Sequence, residues 1–171
     1  YPGKLKLILS GFHEGALAAR GCFKYARPKE TLNFEFTTTS KNVQSRIQKF
    51  LGLESIVIYP PCDLDKFRWV AQKNYYLSTA RLAPYKRIDM IIQAFTQLPE
   101  KRLIVSSTGP EEKYLKQLAE GFDNIQFTGD INDQELQKLI VNAVSTIYNS
   151  KDEVFGMSPV ESMAAGKPVI G

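Results

Sequence analysis

Residues 75 to 171 alternate short apolar segments with amphipathic helical segments, and this alternation constrains the fold more than any other feature of the chain. The helical spacing of Ile88, Ile91, Ile92 and Phe95 puts all four side chains on one face of a predicted helix. The predicted strands are β-branched and lack clean polar alternation, as strands covered on both faces do. The sequence therefore predicts an α/β domain, a Rossmann-like doubly wound parallel sheet, with helices at 87–98, 111–120, 133–143 and from Ser158.

The sequence of residues 1 to 70 predicts that this segment forms a separate unit. Strands are predicted at 4–10 and 32–40 with a weakly helical stretch at 14–26, and the next helix has Ser40 as its N-cap and ends at Gly52. A short strand stopped by two prolines leads into a linker. We therefore predict two domains, 1–70 and 71–171, in a fragment of a longer protein.

Composition excludes several classes of protein. The 171 residues are 43% hydrophobic and 23% charged, which is ordinary for a soluble globular protein. No apolar run approaches the roughly 18 residues of a membrane span, and no signal-peptide pattern is present. The two cysteines, Cys22 and Cys62, lie forty positions apart, so we expect free thiols in a reducing compartment and no metal site.

Positive charge is concentrated in the N-terminal part of the chain. Residues 1 to 50 hold nine Lys or Arg against three Glu, whereas the remaining residues hold thirteen basic against fifteen acidic side chains. Two interpretations stay open, a solvated surface and attraction to an anionic membrane face or acceptor. Nucleic acid is disfavoured because there is no dense basic stripe and no reader motif.

Four loops follow the predicted strands and should open on one edge of the sheet, where such folds bind ligands. We name them the first loop (80–87), second loop (107–112), third loop (128–133) and fourth loop (150–159). Cations in the first loop and amides at helix starts suit a phosphate or diphosphate. The carboxylates Glu153 and Glu161 of the fourth loop and the helix after it would repel phosphate, so they suit sugar or ribose hydroxyls.

Other kinds of ligand site or active site have weaker support in the sequence, and some of the same residues also have a purely structural explanation. The chain has no GxGxxG after a strand and no GxxxxGK[ST], and its single histidine, His13, is far from any GxSxG. A glycosidase would use two carboxylates without needing the basic loop. Locally, Ser158 to Glu161 also reads as a capping box with Ser158 as the N-cap, and the loop charges could simply be solvated.

The segments "STARLAPYKRID", "LIVSSTGPEEKYLKQLA", "NIQFTGDINDQEL" and "SKDEVFGMSPVESMAAGKPVIG" resemble the donor half of retaining glycosyltransferases with the GT-B fold, of the family-four type that includes many mannosyltransferases. The resemblance covers about 36–171 and rests on an E-x7-E motif, Glu153 to Glu161, preceded by Arg81 and Lys86. It implies that 1–70 ends the acceptor-side domain and that 71–171 is a truncated nucleotide-sugar-binding domain.

The resemblance also implies a role for each matching residue. Arg81 and Lys86 would bind the donor diphosphate, Glu161 the ribose and Glu153 the transferred sugar, with Arg81, Lys86 and Glu153 forming the catalytic set. His13 is a weaker candidate for a histidine that approaches the donor sugar. The remaining donor-binding positions are Ile131, Phe155, Gly156, Met157 and Ser158.

The implied activity is transfer of a hexose from a nucleotide sugar to a glycan or lipid-linked acceptor, with retention of configuration and no metal or other cofactor. GDP-mannose is the first candidate donor and a UDP-sugar is the alternative. The expected location is cytoplasmic, with membrane association left open, and the fragment alone is expected to be inactive. A non-catalytic nucleotide-sugar-binding module is the rival interpretation.

Overall fold

The structure is a computed structural model and describes residues 25–26, 36–151, 153 and 155–171. The predicted strand at 4–10 and the candidate His13 lie outside the described residues, as does Cys22. In the part of the chain that is described, no helix is both long enough and apolar enough to cross a membrane.

The first described unit consists of β1 (Phe36–Thr38), α1 (Lys41–Leu51) and β2 (Ser55–Val57), with β1 and β2 paired in parallel. Helix α1 begins and ends as its sequence predicts. The Ser40 hydroxyl accepts a hydrogen bond from the Val43 amide at 3.3 Å. At the other end, Gly52 adopts the left-handed conformation with φ 65°, which glycine reaches without a steric cost.

The second unit is a five-stranded sheet with four α-helices and one 3₁₀ turn. Its strands pair in the order β5-β4-β3-β6-β7, and every pair is parallel, so the predicted doubly wound parallel sheet is confirmed. The elements in chain order are β3 (Tyr76–Ser78), the 3₁₀ turn (Pro84–Lys86), α2 (Ile88–Thr96), β4 (Leu103–Ser106), α3 (Glu112–Leu118), β5 (Ile125–Gly129), α4 (Asp133–Asn142), β6 (Ser145–Ile147), α5 (Met157–Ala164) and β7 (Val169–Ile170).

Helices cover the two faces of this sheet, and each face has its own apolar cluster. On one face, α2 buries all four residues predicted from its periodicity, Ile88, Ile91, Ile92 and Phe95. Burying one such side chain contributes about 2 kcal/mol, so this helix face is a major part of the core. The other face packs α4 against β3 and β4 through residues including Leu77, Ile104 and Ile140.

Tyr75, immediately before β3, makes the stability of the fold sensitive to alkaline pH. The side chain is only 5% exposed and its hydroxyl donates a hydrogen bond to the Leu139 carbonyl at 2.8 Å. Burial raises the pKa of Tyr75 to about 12, against a smaller opposing effect of Arg102. An unfolded tyrosine loses its proton near pH 10, so between pH 10 and 12 the folded state binds more protons and stability falls as pH rises.

We expect this tyrosine to remove about 2 kcal/mol from the free energy of unfolding between pH 9.5 and 12, since each pKa unit is worth about 1.4 kcal/mol and the loss is not yet complete at pH 12. Urea unfolding followed by circular dichroism across this range measures the loss. Tyr75→Phe should flatten the pH dependence, whereas Tyr114→Phe, at a tyrosine that is 49% exposed, should not. Equal slopes for Tyr75→Phe and the unmodified chain would contradict the assignment.

Candidate functional site

The order of the strands places two loops side by side at the carboxyl edge of the sheet. Strands β3 and β6 are neighbours, and from them the chain builds outward in opposite directions, to β4 and β5 on one side and to β7 on the other. This is the topological switch point, where open α/β sheets bind ligands. The first loop follows β3 and the fourth loop follows β6, and the Lys151 amide donates to the Tyr85 carbonyl at 2.8 Å to join them.

The second loop is held against the first by backbone hydrogen bonds. The Leu82 amide donates to the Thr108 carbonyl at 3.1 Å, and the Glu111 amide donates to the Leu82 carbonyl at 3.0 Å. Gly109 permits this approach, because a Cβ atom there would lie 2.3 Å from the Leu82 carbonyl oxygen. Ser107 has φ 144°, a conformation that favours glycine, so this loop also holds backbone strain beside the site.

Lys86 and Glu153 meet at this edge as an ion pair between the first and fourth loops. Their side chains are 14% and 26% exposed, so the pair is largely withdrawn from water and each charge depends on its partner. The Lys86 ammonium also lies 5.2 Å from the ring centroid of Tyr85 and 5.6 Å from that of Tyr148. The structure thus brings together one cation and one carboxylate that the sequence assigned to the same site.

Arg81 differs from Lys86 in its surroundings. Its side chain is exposed, and it makes no ion pair with any residue that the structure describes. It therefore adds a solvated positive charge to the edge at which Lys86 is already neutralised by Glu153.

The predicted capping box at Ser158 is wrong. Helix α5 begins at Met157, with Gly156 as its N-cap and no side-chain hydrogen bond to its first turn. Ser158 and Pro159 lie inside that turn, where proline is tolerated because its missing amide would have had no partner in the helix. Gly156 packs against Tyr148, where a Cβ would lie 2.8 Å from the hydroxyl oxygen, so a larger residue would not fit at this N-cap without a shift of Tyr148.

A complete capping box occurs instead at α4. The Glu135 amide donates to the Asn132 side chain at 3.0 Å, and the Asn132 amide donates to the Glu135 carboxylate at 3.3 Å. At the start of α4, the side chains of Asn132 and Glu135 thus already accept hydrogen bonds from the backbone amides of Glu135 and Asn132. The uncapped start of α5 is the better place for an anion, because its amides and the helix dipole favour negative charge.

Glu161 lies in a groove of about 560 Å³ between the linker and helices α4 and α5. Burial, followed by the nearby Asp133 carboxylate, raises the pKa of Glu161 above its ordinary value. No hydrogen bond or ion pair from another described residue reaches this carboxylate. The groove is lined by polar and charged side chains, Cys62, Asp63, Lys66, Asp133, Gln134 and Gln137, together with apolar ones that include Phe67, Leu136 and Ile140.

A partly buried carboxylate without a donor is costly, and sugar hydroxyls would supply the hydrogen bonds that Glu161 lacks. Cys62 in the same groove is a free thiol. Burial and the carboxylates of Glu161 and Asp63 raise the pKa of Cys62, so it stays protonated and is a poor nucleophile. The arrangement is suited to binding hydroxyl groups and not to thiolate chemistry.

The other predicted donor-binding residues differ in their surroundings. Phe155 stacks obliquely on Tyr59, with the ring centroids 5.8 Å apart, and Met157 lines the groove that contains Glu161. Ile131 and Ser158 are half-buried. Within the described ranges there is no group of three or more His, Cys, Asp or Glu side chains that could hold a metal ion.

Sequence reasoning assigned no role in the site to three residues that the structure places there. Tyr148 lies against Gly156 with its ring beside the Lys86 ammonium, and Asp133 and Cys62 line the groove. Tyr148 directly follows strand β6 and Asp133 is the last residue of the third loop, so their positions at the ligand edge were a usable signal. Cys62 had none, because only tertiary contact brings the linker to α5.

Comparison with solved structures shows the fold of GT-B glycosyltransferases. HepE from Anabaena, solved with UDP and glucose, matches with a TM-score of 0.69 and 22% identity, over 79% of this chain and 43% of HepE. Sucrose-phosphate synthase from Thermosynechococcus elongatus matches with a TM-score of 0.67 and 22% identity, over 78% of this chain and 39% of the synthase. This chain thus spans less than half of either protein.

A different likeness is confined to a short stretch. Over 47 residues the chain is 85% identical to a ferredoxin–NADP reductase from Pelagibacter ubique, which is 28% of this chain and 14% of the reductase. So small a share of the reductase does not assign the chain to that family. The model of the group 1 glycosyl transferases, in contrast, matches residues 63–171, which include the whole five-stranded sheet and all four loops. The chain belongs to the group 1 glycosyl transferases.

Proposed function

We propose that this chain provides the donor-binding half of a retaining glycosyltransferase that moves a hexose from a nucleotide sugar to a glycan or lipid-linked acceptor. The observation that carries the proposal is the Lys86–Glu153 pair at the topological switch point, beside the uncapped start of α5. A cation and free amides suit the diphosphate of such a donor, while a carboxylate suits its sugar hydroxyls.

In this proposal the cations act on the leaving group. The bond between the anomeric carbon and the diphosphate oxygen breaks, and a bond to the acceptor oxygen forms on the same face of the sugar. The acceptor proton passes to the departing phosphate. Arg81 and Lys86 stabilise the negative charge that builds up on the diphosphate, which is the usual use of preorganised cations in a transition state.

Glu161 and its groove are proposed to hold the ribose. The groove offers acceptor groups for hydroxyl donors, and its volume of about 560 Å³ suits a nucleoside. GDP-mannose remains the first candidate donor from the sequence motifs. A UDP-sugar is the alternative, and the structural similarity to HepE, which was solved with UDP and glucose, favours including it in every test.

Isothermal titration calorimetry of the 171-residue chain with GDP, UDP, GDP-mannose and UDP-glucose tests the proposal. We expect one nucleoside diphosphate to bind, and Lys86→Met to weaken it at least tenfold, because a charge-assisted hydrogen bond to phosphate is worth about 1.5–3 kcal/mol. The matched control is Lys151→Met, at an exposed lysine of the fourth loop whose backbone amide, not its side chain, joins the loops.

The outcomes separate the alternatives. Failure of all four nucleotides to bind would overturn the donor-site proposal. Binding by this chain, together with absence of sugar transfer by the longer protein to any glycan or lipid-linked acceptor, would favour the non-catalytic module. The base that binds more tightly identifies the donor class.

A further inference from the structure

Lys167, between α5 and β7, is a buried lysine that has no part in the proposed donor site. The residue is only 3% exposed. Its ammonium donates a hydrogen bond to the Val70 carbonyl at 2.6 Å and lies 5.4 Å from the ring centroid of Trp69. It forms no ion pair with a carboxylate in the described part of the chain. Val70 and Trp69 belong to the linker that runs from β2 to β3, so one side chain fastens this linker to the segment after α5.

The burial of the Lys167 ammonium is a cost to folding. A charged group taken out of water loses its hydration, and one carbonyl with one aromatic ring replaces only part of it. An apolar side chain of similar length would fill the same space without that cost. The ammonium is therefore better explained by the place in which it holds the linker than by the stability that it adds.

The attachment is fixed on the side of α5. The Lys167 amide donates to the Ser162 carbonyl of that helix at 2.9 Å. Gly166 has φ 68°, and a Cβ there would lie 2.9 Å from Trp69 Cδ1, so this glycine also gives the indole ring room to approach. Trp69 is 68% exposed, so burial in the core does not account for its position. The ring lies over the end of α5 as part of the linker attachment.

The linker is also one wall of the groove that contains Glu161. Two hydrogen bonds join it to α4, one from the Gln137 side-chain amide to the Lys66 carbonyl and one from the Lys73 amide to the Asn142 carbonyl at 2.7 Å. The linker residues that line the groove are Pro61, Cys62, Asp63, Lys66 and Phe67.

Lys167 supplies the corresponding attachment on the side of α5, the helix that carries Glu161. The distance across the groove from the linker to Glu161 therefore depends on this contact. Lys167 and Trp69 are not among the residues that line the groove, so any effect that they have on a bound ligand passes through the linker.

We propose that Lys167 is a positioning residue that holds the linker at the distance from Glu161 at which the groove accepts the nucleoside of the donor. The inference rests on the proposed function, since it assumes that the nucleoside occupies this groove. Lys167 contacts no part of the donor in this scheme.

Lys167→Met tests this role because it keeps an unbranched side chain in the buried space and removes the ammonium. The probe is whichever of GDP and UDP binds the unmodified 171-residue chain in calorimetry. Its affinity for the variant should be about tenfold lower, the factor expected if the linker stays in place in about one tenth of the molecules. The matched control is Lys73→Met, at an exposed lysine of the same linker whose backbone amide makes the contact with α4. It should change affinity by less than about twofold, because an exposed charge contributes little.

Trp69 is the single tryptophan of the chain, so its fluorescence reports the position of the linker. Without nucleotide, acrylamide should quench this fluorescence more strongly in Lys167→Met than in the unmodified chain. Saturating nucleotide should reduce the difference, because coupling between two equilibria is reciprocal. A lysine that only stabilised the fold would change the free energy of unfolding in urea, and its loss would leave the nucleotide affinity of the folded chain unchanged.

Trp69→Ala tests the same attachment from the linker, at an exposed position that the fold tolerates. It should lower nucleotide affinity about threefold, in keeping with the loss of one cation–π contact. Unchanged affinity in Lys167→Met, or an equal loss in Lys73→Met, would overturn the positioning role alone. If Lys167→Met does not fold, unchanged affinity in Trp69→Ala would overturn it. If the unmodified chain binds neither nucleotide, the proposed function fails and this inference fails with it.

Discussion

Replacing Glu161 with Gln is expected to weaken binding of the nucleotide and of the nucleotide sugar by about ten- to a hundredfold without reducing the stability of the free protein. Hydrogen bonds from ribose hydroxyls to a charged acceptor are worth about 1.5–3 kcal/mol, and the amide offers one neutral oxygen in place of two charged ones. Because Glu161 does not cap α5, the substitution removes no helix-capping hydrogen bond.

The stability of the variant follows from the sign of the pKa shift. Burial and Asp133 raise the pKa of Glu161, so the folded state binds its proton more tightly than the unfolded state. The stabilisation from this group is present below the pKa of the unfolded state and is lost as pH rises through the pKa of the folded state. At pH 7 the ionised carboxylate is a cost to folding, and Glu161→Gln should therefore unfold at an equal or higher urea concentration.

Glu135→Ala is the matched control, since it removes the glutamate that does cap a helix. It should lower the free energy of unfolding by about 1 kcal/mol and leave nucleotide affinity unchanged. Calorimetry and urea unfolding of both variants give the comparison. If Glu161→Gln binds nucleotide as the unmodified chain does, the groove is not the ribose site.

The fold was predictable because its signals are local and agree with one another. The four buried residues of α2 are three and four positions apart, and strand β4 is apolar enough to be buried along its whole length. Given strands and helices in alternation, the handedness of crossover connections leaves few arrangements other than a parallel sheet. The strand lengths were less predictable, since the sequence pattern predicts a strand over 75–82, whereas β3 comprises only Tyr76–Ser78.

The sequence predicted which loops meet at the site, because the topology of the sheet determines this, but it did not predict the details of their contacts. The carboxyl ends of parallel strands lie on one edge, so the first and fourth loops had to be neighbours, and Lys86 does pair with Glu153 across 67 positions of sequence. The start of α5 was not predictable from its own residues. The residues from Ser158 to Glu161 match the sequence pattern of a capping box, and this pattern predicts a start at Ser158. The structure has Gly156 as the N-cap, and a Cβ there would lie 2.8 Å from the Tyr148 hydroxyl oxygen, a tertiary contact that no local pattern reports.

Replacing Gly109 with Ala should lower the free energy of unfolding by about 3 kcal/mol or more, through steric exclusion and not through backbone conformation. Gly109 is outside the positive-φ region, so alanine could adopt its dihedral angles. The added Cβ would nevertheless lie 2.3 Å from the Leu82 carbonyl oxygen and 2.7 Å from its carbon. These are backbone atoms and cannot rotate away, and Leu82 is fully buried, so relief requires moving the first loop.

Gly129→Ala distinguishes the free-energy cost of backbone strain from that of a steric clash. Gly129 has φ 69°, but a Cβ there would meet nothing within 4 Å, so its substitution adds conformational strain of about 1 kcal/mol and no clash. Urea unfolding of the two variants should therefore rank Gly109→Ala as the more destabilised. Calorimetry should in addition find weaker nucleotide binding in Gly109→Ala, because Leu82 is next to Arg81 and moves with it. A cost for Gly109→Ala no greater than that for Gly129→Ala would mean that the second loop relaxes freely, and the backbone contact with Leu82 would then not be what positions Arg81.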